Sequence, residues 1–298
     1  DRLDYVIAIG IDKSPDNTNL QVSFEFTDLG AFSESDSEQG SKPIIDTVVA
    51  PSISASINLM NAYAGKQVNL SHCKVVVFSE DVARDGILEE VTYLMNSPQI
   101  RPTTNIIIAS DKAKDYIENS TSSLEGILTK YYNLFPTSAE YTGYTSNILL
   151  SRFYQNLTSD ESGAVAILGT KSKSANKNSS SQEEDTSNST KQEVSNNTSL
   201  ESIDTYIGKL SVIETLCYTL IEEEVDNFSV CIDHPTNPDK KIDVSVSSLE
   251  PNNVKVDISK DNPIITIKLN LTAKALTGQN SLDFSDNPCF NNSNSFVI

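Results

Sequence analysis

The stretch Cys73–Ile87, CKVVVFSEDVARDGI, decides the fold class. Val75 to Phe78 is an apolar run of strand length. Ser79, Glu80 and Asp81 then give a helix start: a hydroxyl to cap the first turn and acids facing its positive end. A strand that passes straight into a helix is half of a crossover, and the pattern recurs downstream. Asn105–Ala109 (NIIIA) follows Arg101 and Pro102, and Asp111 opens the expected helix DKAKDYIEN. Strand, helix, strand, helix in this order predicts crossovers onto one mixed sheet.

Upstream, Leu3 to Asp12 is dense in Val, Ile and Tyr and stops at Ser14, Pro15, Asp16 and Asn17, which reads as a strand bounded by a turn. In LQVSFEF, Leu20, Val22, Phe24 and Phe26 share one face at period two, a partner strand with DKSPDNTN as the hairpin loop. Ile45, Val48, Val49, Ile53, Ile57, Met60 and Tyr63 recur at helical spacing. They predict a helix over Ile44–Ala64, with Pro51 early in it or kinking it. SEDVARDGILEEVTYLMNS reads as one helix, and SLEGILTKYYNLF and TSNILLSRFYQNL as two more that close the region near Leu157.

Gly163–Gly169 (GAVAILG) restarts an apolar run after the polar TSDES and is expected to open a second domain. Between Lys171 and Ser199 only Ala175 and Val194 are apolar. Such a segment buries too little to offset its ordering entropy, which predicts a disordered insertion. IGKLSVIETLCYTLIEEE then gives a short strand and a helix. NFSVCID, KKIDVSVSSLE, NVKVDISKD and PIITIKLNLTAKAL each alternate at period two, the pattern of an antiparallel meander. The expected class is α+β with two domains, each a mixed or antiparallel sheet with helices packed on it. The N-terminal domain covers residues 1–160 and the second covers 161–278, interrupted at 171–199. A C-terminal segment, 279–298, has no clear pattern.

The 298 residues carry 22 Lys and Arg against 41 Asp and Glu, a net charge of −19. That balance excludes nucleic acid, whose phosphates demand a basic surface, and disfavours an anionic membrane as a direct electrostatic partner. The longest apolar runs fall far short of the roughly 20 residues that span a bilayer. Four cysteines, Cys73, Cys217, Cys231 and Cys289, are too scattered for a disulfide scaffold. Cys217 and Cys231 are close enough in sequence to pair in an oxidising compartment, although cysteines of strands and helices more often serve as small buried hydrophobes. Asn-x-Ser/Thr sequons, as at Asn69, Asn156, Asn227 and Asn270, are what an Asn- and Ser-rich chain generates by chance.

No dinucleotide fingerprint, phosphate loop, nucleophile elbow or zinc-protease helix occurs. His72 and His234 are the only imidazoles available as a general base, and neither sits in a nucleophile context. His72 and Cys73 together with Cys231 and His234 form a four-ligand set of the kind that holds zinc tetrahedrally. The two pairs fall in different expected domains, and both cysteines read equally well as interior strand residues. Acidic clusters at Glu80-Asp81, Glu89-Glu90 and Glu222–Glu224 read as solvated faces, because glycosidase chemistry needs two particular carboxylates across a cleft. DKSPDNTN offers oxygens at alternating positions but lacks the central glycine and terminal glutamate of an EF-hand, so it reads as a plain loop. No catalytic, cofactor-binding or metal residue is assigned.

IAIGID after an acidic start, CKVVVFSEDVARDGI, RPTTNIIIASDKAKDYIE, GAVAILG and GKLSVIET stand in the order found in the Ger(x)C family. From about Asp4 to Leu276, outside the polar insertion, the chain resembles the lipoprotein C subunit of spore germinant receptors. The resemblance implies a non-enzymatic subunit made as a precursor with a signal peptide. It implies anchoring by a lipidated cysteine upstream of DRLDY, on the outer face of the spore inner membrane. The implied partners are the membrane-embedded A and B subunits, with no cofactor and no nucleic acid. The family also carries a third, C-terminal α+β domain, expected to be absent from this chain, and the segment 171–199 departs from its pattern. Readings from other classes are a cell-wall hydrolase, marked by peptidoglycan turnover, and a secreted solute-binding protein, marked by saturable binding in a cleft.

Overall fold

A computed structural model describes residues 3–27, 44–119, 148–159, 163–170, 197–200, 206–222, 228–234, 237–257, 264–275 and 296–297. It divides into two compact units, the first running to Val212 and the second starting at Ile213 among the described residues.

In the first unit, β1 (Leu3–Lys13) and β2 (Leu20–Phe26) form the expected antiparallel hairpin. Its loop is closed by its own side chains. The Ser14 and Thr18 hydroxyls donate to the Asp16 carboxylate, and the Asn19 N–H donates to Ser14 Oγ at 3.0 Å. The Ser14 bond, then those of Thr18, hold the Asp16 carboxyl below its ordinary range. Asp16 thus serves the turn itself.

The helix expected over Ile44–Ala64 is two elements. β3 (Ile44–Ala50) pairs antiparallel with β2, and α1 (Ile53–Ala64) follows. Pro51 supplies no N–H, and Ser52 starts the helix by accepting the Ala55 N–H at 3.2 Å. The apolar positions before Pro51 fit both periods, and the Pro-Ser pair arbitrates.

β4 (Gln67–Asn69) pairs parallel with Leu3–Tyr5. β5 (Val75–Ser79) lies parallel between β1 and β6 (Asn105–Ala109). Between them the expected single helix breaks at Gly86, whose φ of 104° suits glycine, into α2 (Glu80–Asp85) and α3 (Leu88–Asn96). α4 (Ala113–Asn119) and α5 (Leu150–Leu157) come next.

Ala164–Gly169, expected to open the second domain, is β7 and pairs parallel with β6 in the first sheet. Its residues are buried throughout, as a central strand covered on both faces requires. β8 (Asn197–Leu200) and β9 (Tyr206–Lys209) add antiparallel strands, giving the order β3-β2-β1-β5-β6-β7-β8-β9 with β4 beside β1. Residues 197–199 of the expected disordered insertion therefore belong to β8. The rest of that insertion and the helix expected over 123–135 lie outside the described residues.

Both faces of this sheet are packed. On one, Val6, Ile9, Ile11, Val76, Phe78, Ile106 and Ile108 meet Met60, Val91, Leu94 and Phe153 from α1, α3 and α5. On the other, Ala8, Val75, Val77, Ile107 and Ala109 meet Ala113, Tyr116 and Ile117 of α4. Val6 and Ile9 share a face despite their odd spacing because the β1–β2 register shifts between Val6 and Ala8.

The second unit holds α6 (Val212–Glu222) and an antiparallel sheet in the order β10 (Phe228–His234), β11 (Asn237–Asp257), β12 (Ile264–Ala275), β13 (Phe296–Val297). The two strands expected around Pro251 are one long strand. Register breaks on either side of Glu250 let β11 pass the proline without losing its pairing to β12. Leu216 and Leu220 of α6 pack on Phe228, with Val246 and Leu269 alongside. The class is α+β, two sheets with helices packed on them. Among the described residues no helix is long and apolar enough to cross a membrane.

Candidate functional site

The most constrained assembly in the first unit is the seat of α4 on the sheet. Asp12, fully buried near the end of β1, reaches across the fold to cap α4: Ala113 N–H donates to Oδ1 at 2.8 Å and Lys114 N–H to Oδ2 at 2.9 Å. Sequence spacing pointed to Asp111 as the opener of this helix; the cap instead comes from a strand about a hundred positions earlier. Gly10, two residues before the cap, lies under α4. A Cβ there would sit 2.9 Å from Ile117 Cδ1 and 3.3 Å from the backbone of Ala113 and Lys114. Gly169 at the end of β7 is tighter still, since a Cβ would come within 2.5 Å of the Tyr116 ring and 3.0 Å of Ile107 Cγ2.

Burial pushes the Asp12 carboxyl up, against the two backbone N–H groups that pull it down. With the folded value raised above 3.8, its protonation-linked stability is full below that value and is lost as pH rises through the folded one. Asp12→Ala is expected to cost about 2 kcal/mol at neutral pH, by orphaning two helix N–H groups. The gap from wild type should widen as pH falls toward the ordinary carboxylate range. Urea denaturation followed by circular dichroism at several pH values measures both.

At the carboxyl ends of β5 and β6, where open α/β sheets hold ligands, Glu80, Asp81, Ser110, Asp111, Lys112 and Asp115 line a shallow cleft of about 340 Å³. Of its four carboxylates, Glu80 is matched by two cations. Glu80, with its side chain 16% exposed, binds Arg84 Nη2 at 2.5 Å and Lys209 Nζ at 3.0 Å. Burial pushes the Glu80 carboxyl up, and the Arg84 and Lys209 bonds more than reverse it. The Lys209 pair fastens β9 to α2, and the Ser110 N–H ties β6 to the Gly169 carbonyl at 2.9 Å. These groups brace the strand ends.

The residues weighed for chemistry are scattered. His72 precedes β5, at the opposite end of the parallel strands from the cleft, and its exposed ring packs on Tyr5 at 4.6 Å. Cys73 turns the other way, into the core; its thiol donates to the Val75 carbonyl at 3.4 Å, and burial pushes it up to about 12. Neighbours in sequence, the two do not face a common ligand position. Cys217 and Cys231 are exposed. Among the described residues no group of three or more His, Cys, Asp or Glu is placed to hold a metal ion.

The profile of the spore germination protein N-terminal domain matches residues 1–170, and that of the spore germination B3/GerAC-like C-terminal domain matches residues 200–292. The chain belongs to the GerAC-like spore germination family. This GerAC-like chain is 27% identical over 124 residues to YfkR of Bacillus subtilis (strain 168), a protein whose name ties it to spore germination. The match covers 41% of the chain and 32% of YfkR, so it spans about a third of that relative's length. No solved structure matches the chain. The GerAC-like family is generally non-enzymatic.

The motifs that carry the resemblance meet at the α4 seat. IAIGID supplies Gly10 and Asp12, DKAKDYIE supplies Ala113, Tyr116 and Ile117, and GAVAILG supplies Gly169.

Proposed function

We propose that this GerAC-like chain is a non-enzymatic subunit of a nutrient germinant receptor. It works beside the membrane-embedded A and B subunits. A lipid on a cysteine upstream of Asp1 holds it to the outer face of the spore inner membrane. The observation that carries the reading is that two spore germination profiles match in succession along the chain. The α4 seat supports it, since the residues of the shared motifs build the fold there. So does the cleft, where two cations occupy Glu80. A lipid tether is physically distinct from a spanning helix. It turns weak contacts into effectively intramolecular ones, at local concentrations on the order of millimolar for short linkers. Modest surfaces then suffice to stabilise an assembly whose nutrient site lies in its membrane partners.

The test uses spores carrying the full precursor with the lipid-bearing cysteine replaced by alanine, at matched protein levels. They are expected to lose most of their response to nutrients. Detergent extracts of wild-type spore membranes are expected to yield the A and B subunits with this protein. A normal response from the untethered form, or an extract without those subunits, would overturn the proposal.

A further inference from the structure

α1 is an unusual surface helix. Charged residues make up 21% of the chain, yet ISASINLMNAYA has none. Ile53, Ser56 and Met60 face the core, while Leu59, Ala62 and Tyr63 face outward, Leu59 at 38% and Tyr63 at 76% exposure. A helix that keeps an apolar stripe in water has a second face to cover.

The sheet places this stripe. β1 and β3 are both antiparallel to β2 and therefore run the same way, so Ile44 at the start of β3 lies at the same end as Leu3 at the start of β1. α1 runs back toward that end and passes through Gly65 and Lys66 into Gln67, which pairs with Leu3. Ile44, itself 48% exposed, is level with Phe26, and Phe26 with Val6. Ile44, the exposed C-terminal end of α1 and the first residues of β1 thus share one end of the unit. Lys66 is there too, bonded to Asp4 at 2.8 Å, together with the tilted, packed Tyr5 and His72 rings.

We propose that this end of the first unit, led by Leu59 and Tyr63 of α1, rests in the interfacial zone of the lipid bilayer. The proposal rests on the tethered reading above, in which the chain approaches from the membrane at β1. On the tethered reading the stripe sits where the chain enters the fold, and its composition is that of the interface; both select lipid over a protein occupant. Tyrosine, with an apolar ring and a polar tip, favours headgroup depth, and leucine beside it buries in the acyl boundary. Contact of this kind needs no basic surface, so the net charge of −19 does not oppose it on neutral lipid.

The chain contains no tryptophan, so one introduced indole reports alone. The full chain, carrying Tyr63→Trp and an N-terminal histidine tag, is tethered to phosphatidylcholine vesicles containing a few nickel-chelating lipids. Val49→Trp serves as the comparison, because Val49 is 47% exposed on the same edge strand but level with Gln21, toward the opposite end. The indole of Tyr63→Trp is expected to shift to shorter wavelength on tethering and to lose most of its emission to acyl-brominated phosphatidylcholine, while that of Val49→Trp does neither. Adding Leu59→Asp should abolish the response of the Tyr63→Trp variant, with circular dichroism confirming the fold. If the Tyr63→Trp indole keeps water-like emission, or both variants respond alike, the proposal is overturned. Shielding of that indole only when the membrane subunits are added would also overturn it and assign the stripe to a protein. The artificial tether makes these outcomes independent of whether the natural protein carries a lipid.

Discussion

Gly169→Ala is expected to destabilise the first unit by about 2–3 kcal/mol, although it adds one methyl group to a buried strand. In most strand positions alanine replaces glycine at a gain, because it restricts the unfolded chain. Here the added carbon would stand 2.5 Å from the Tyr116 ring and 3.0 Å from Ile107 Cγ2, both part of the core under α4. The helix that carries the ring is clamped at its start by Asp12, so it cannot back away to make room without straining the cap. Urea denaturation followed by circular dichroism gives the magnitude. Hydrogen exchange at β6 and β7 locates it, since their amides should lose protection first. A truncated ring relieves the clash, so Tyr116→Ala should lower the cost of Gly169→Ala in a double-mutant cycle. An unchanged midpoint for the single alanine variant would contradict the tight seat.

Phe153→Ala is expected to cost more, about 3–5 kcal/mol. Phe153 is fully buried on α5 and belongs to the larger core on the face opposite α4. Removing the ring forfeits its apolar burial and leaves a cavity between α5 and the sheet, which rigid strands cannot refill. Gln155, two residues on and exposed, provides the contrast: Gln155→Ala should change stability by less than about 0.5 kcal/mol. Equal effects from the two would mean that α5 does not pack as described. The same denaturation series measures both.

The sequence announced elements wherever local chemistry decides them. CKVVVF and NIIIA are strands because short runs rich in β-branched residues suit a sheet covered on both faces, and SED opens a helix because Ser79 caps the Val82 N–H. Where two periods fit the same apolar positions, as in Ile44–Ala50, pattern alone could not choose, and Pro51 with Ser52 had to be weighed more heavily. Pro251 misled in the opposite direction: it reads as a turn, yet register breaks carry β11 past it. GAVAILG looked like a new beginning because a polar stretch precedes it, whereas its partner strand β6 lies far upstream.

The α4 seat was the least legible part. Its glycines and its aspartate are separated by long stretches of chain, and a cap supplied from another element has no local signature. A single glycine and a following aspartate in the densest strand, IAIGID, were the available signal. Their meaning needed the helix that lies over them.

The seat also fixes when the first unit can finish folding. β1 is synthesised before α4, so its cap waits for Ala113, and Tyr116 closes only on Gly169. Contacts of such long sequence separation fold slowly, because loop closure must precede any reward from packing. A nascent chain halted before Ala164 carries β6 without β7, leaving Ile107 and Ala109 on an open parallel edge. Such an intermediate is prone to pair with its neighbours until β7 arrives and removes the edge.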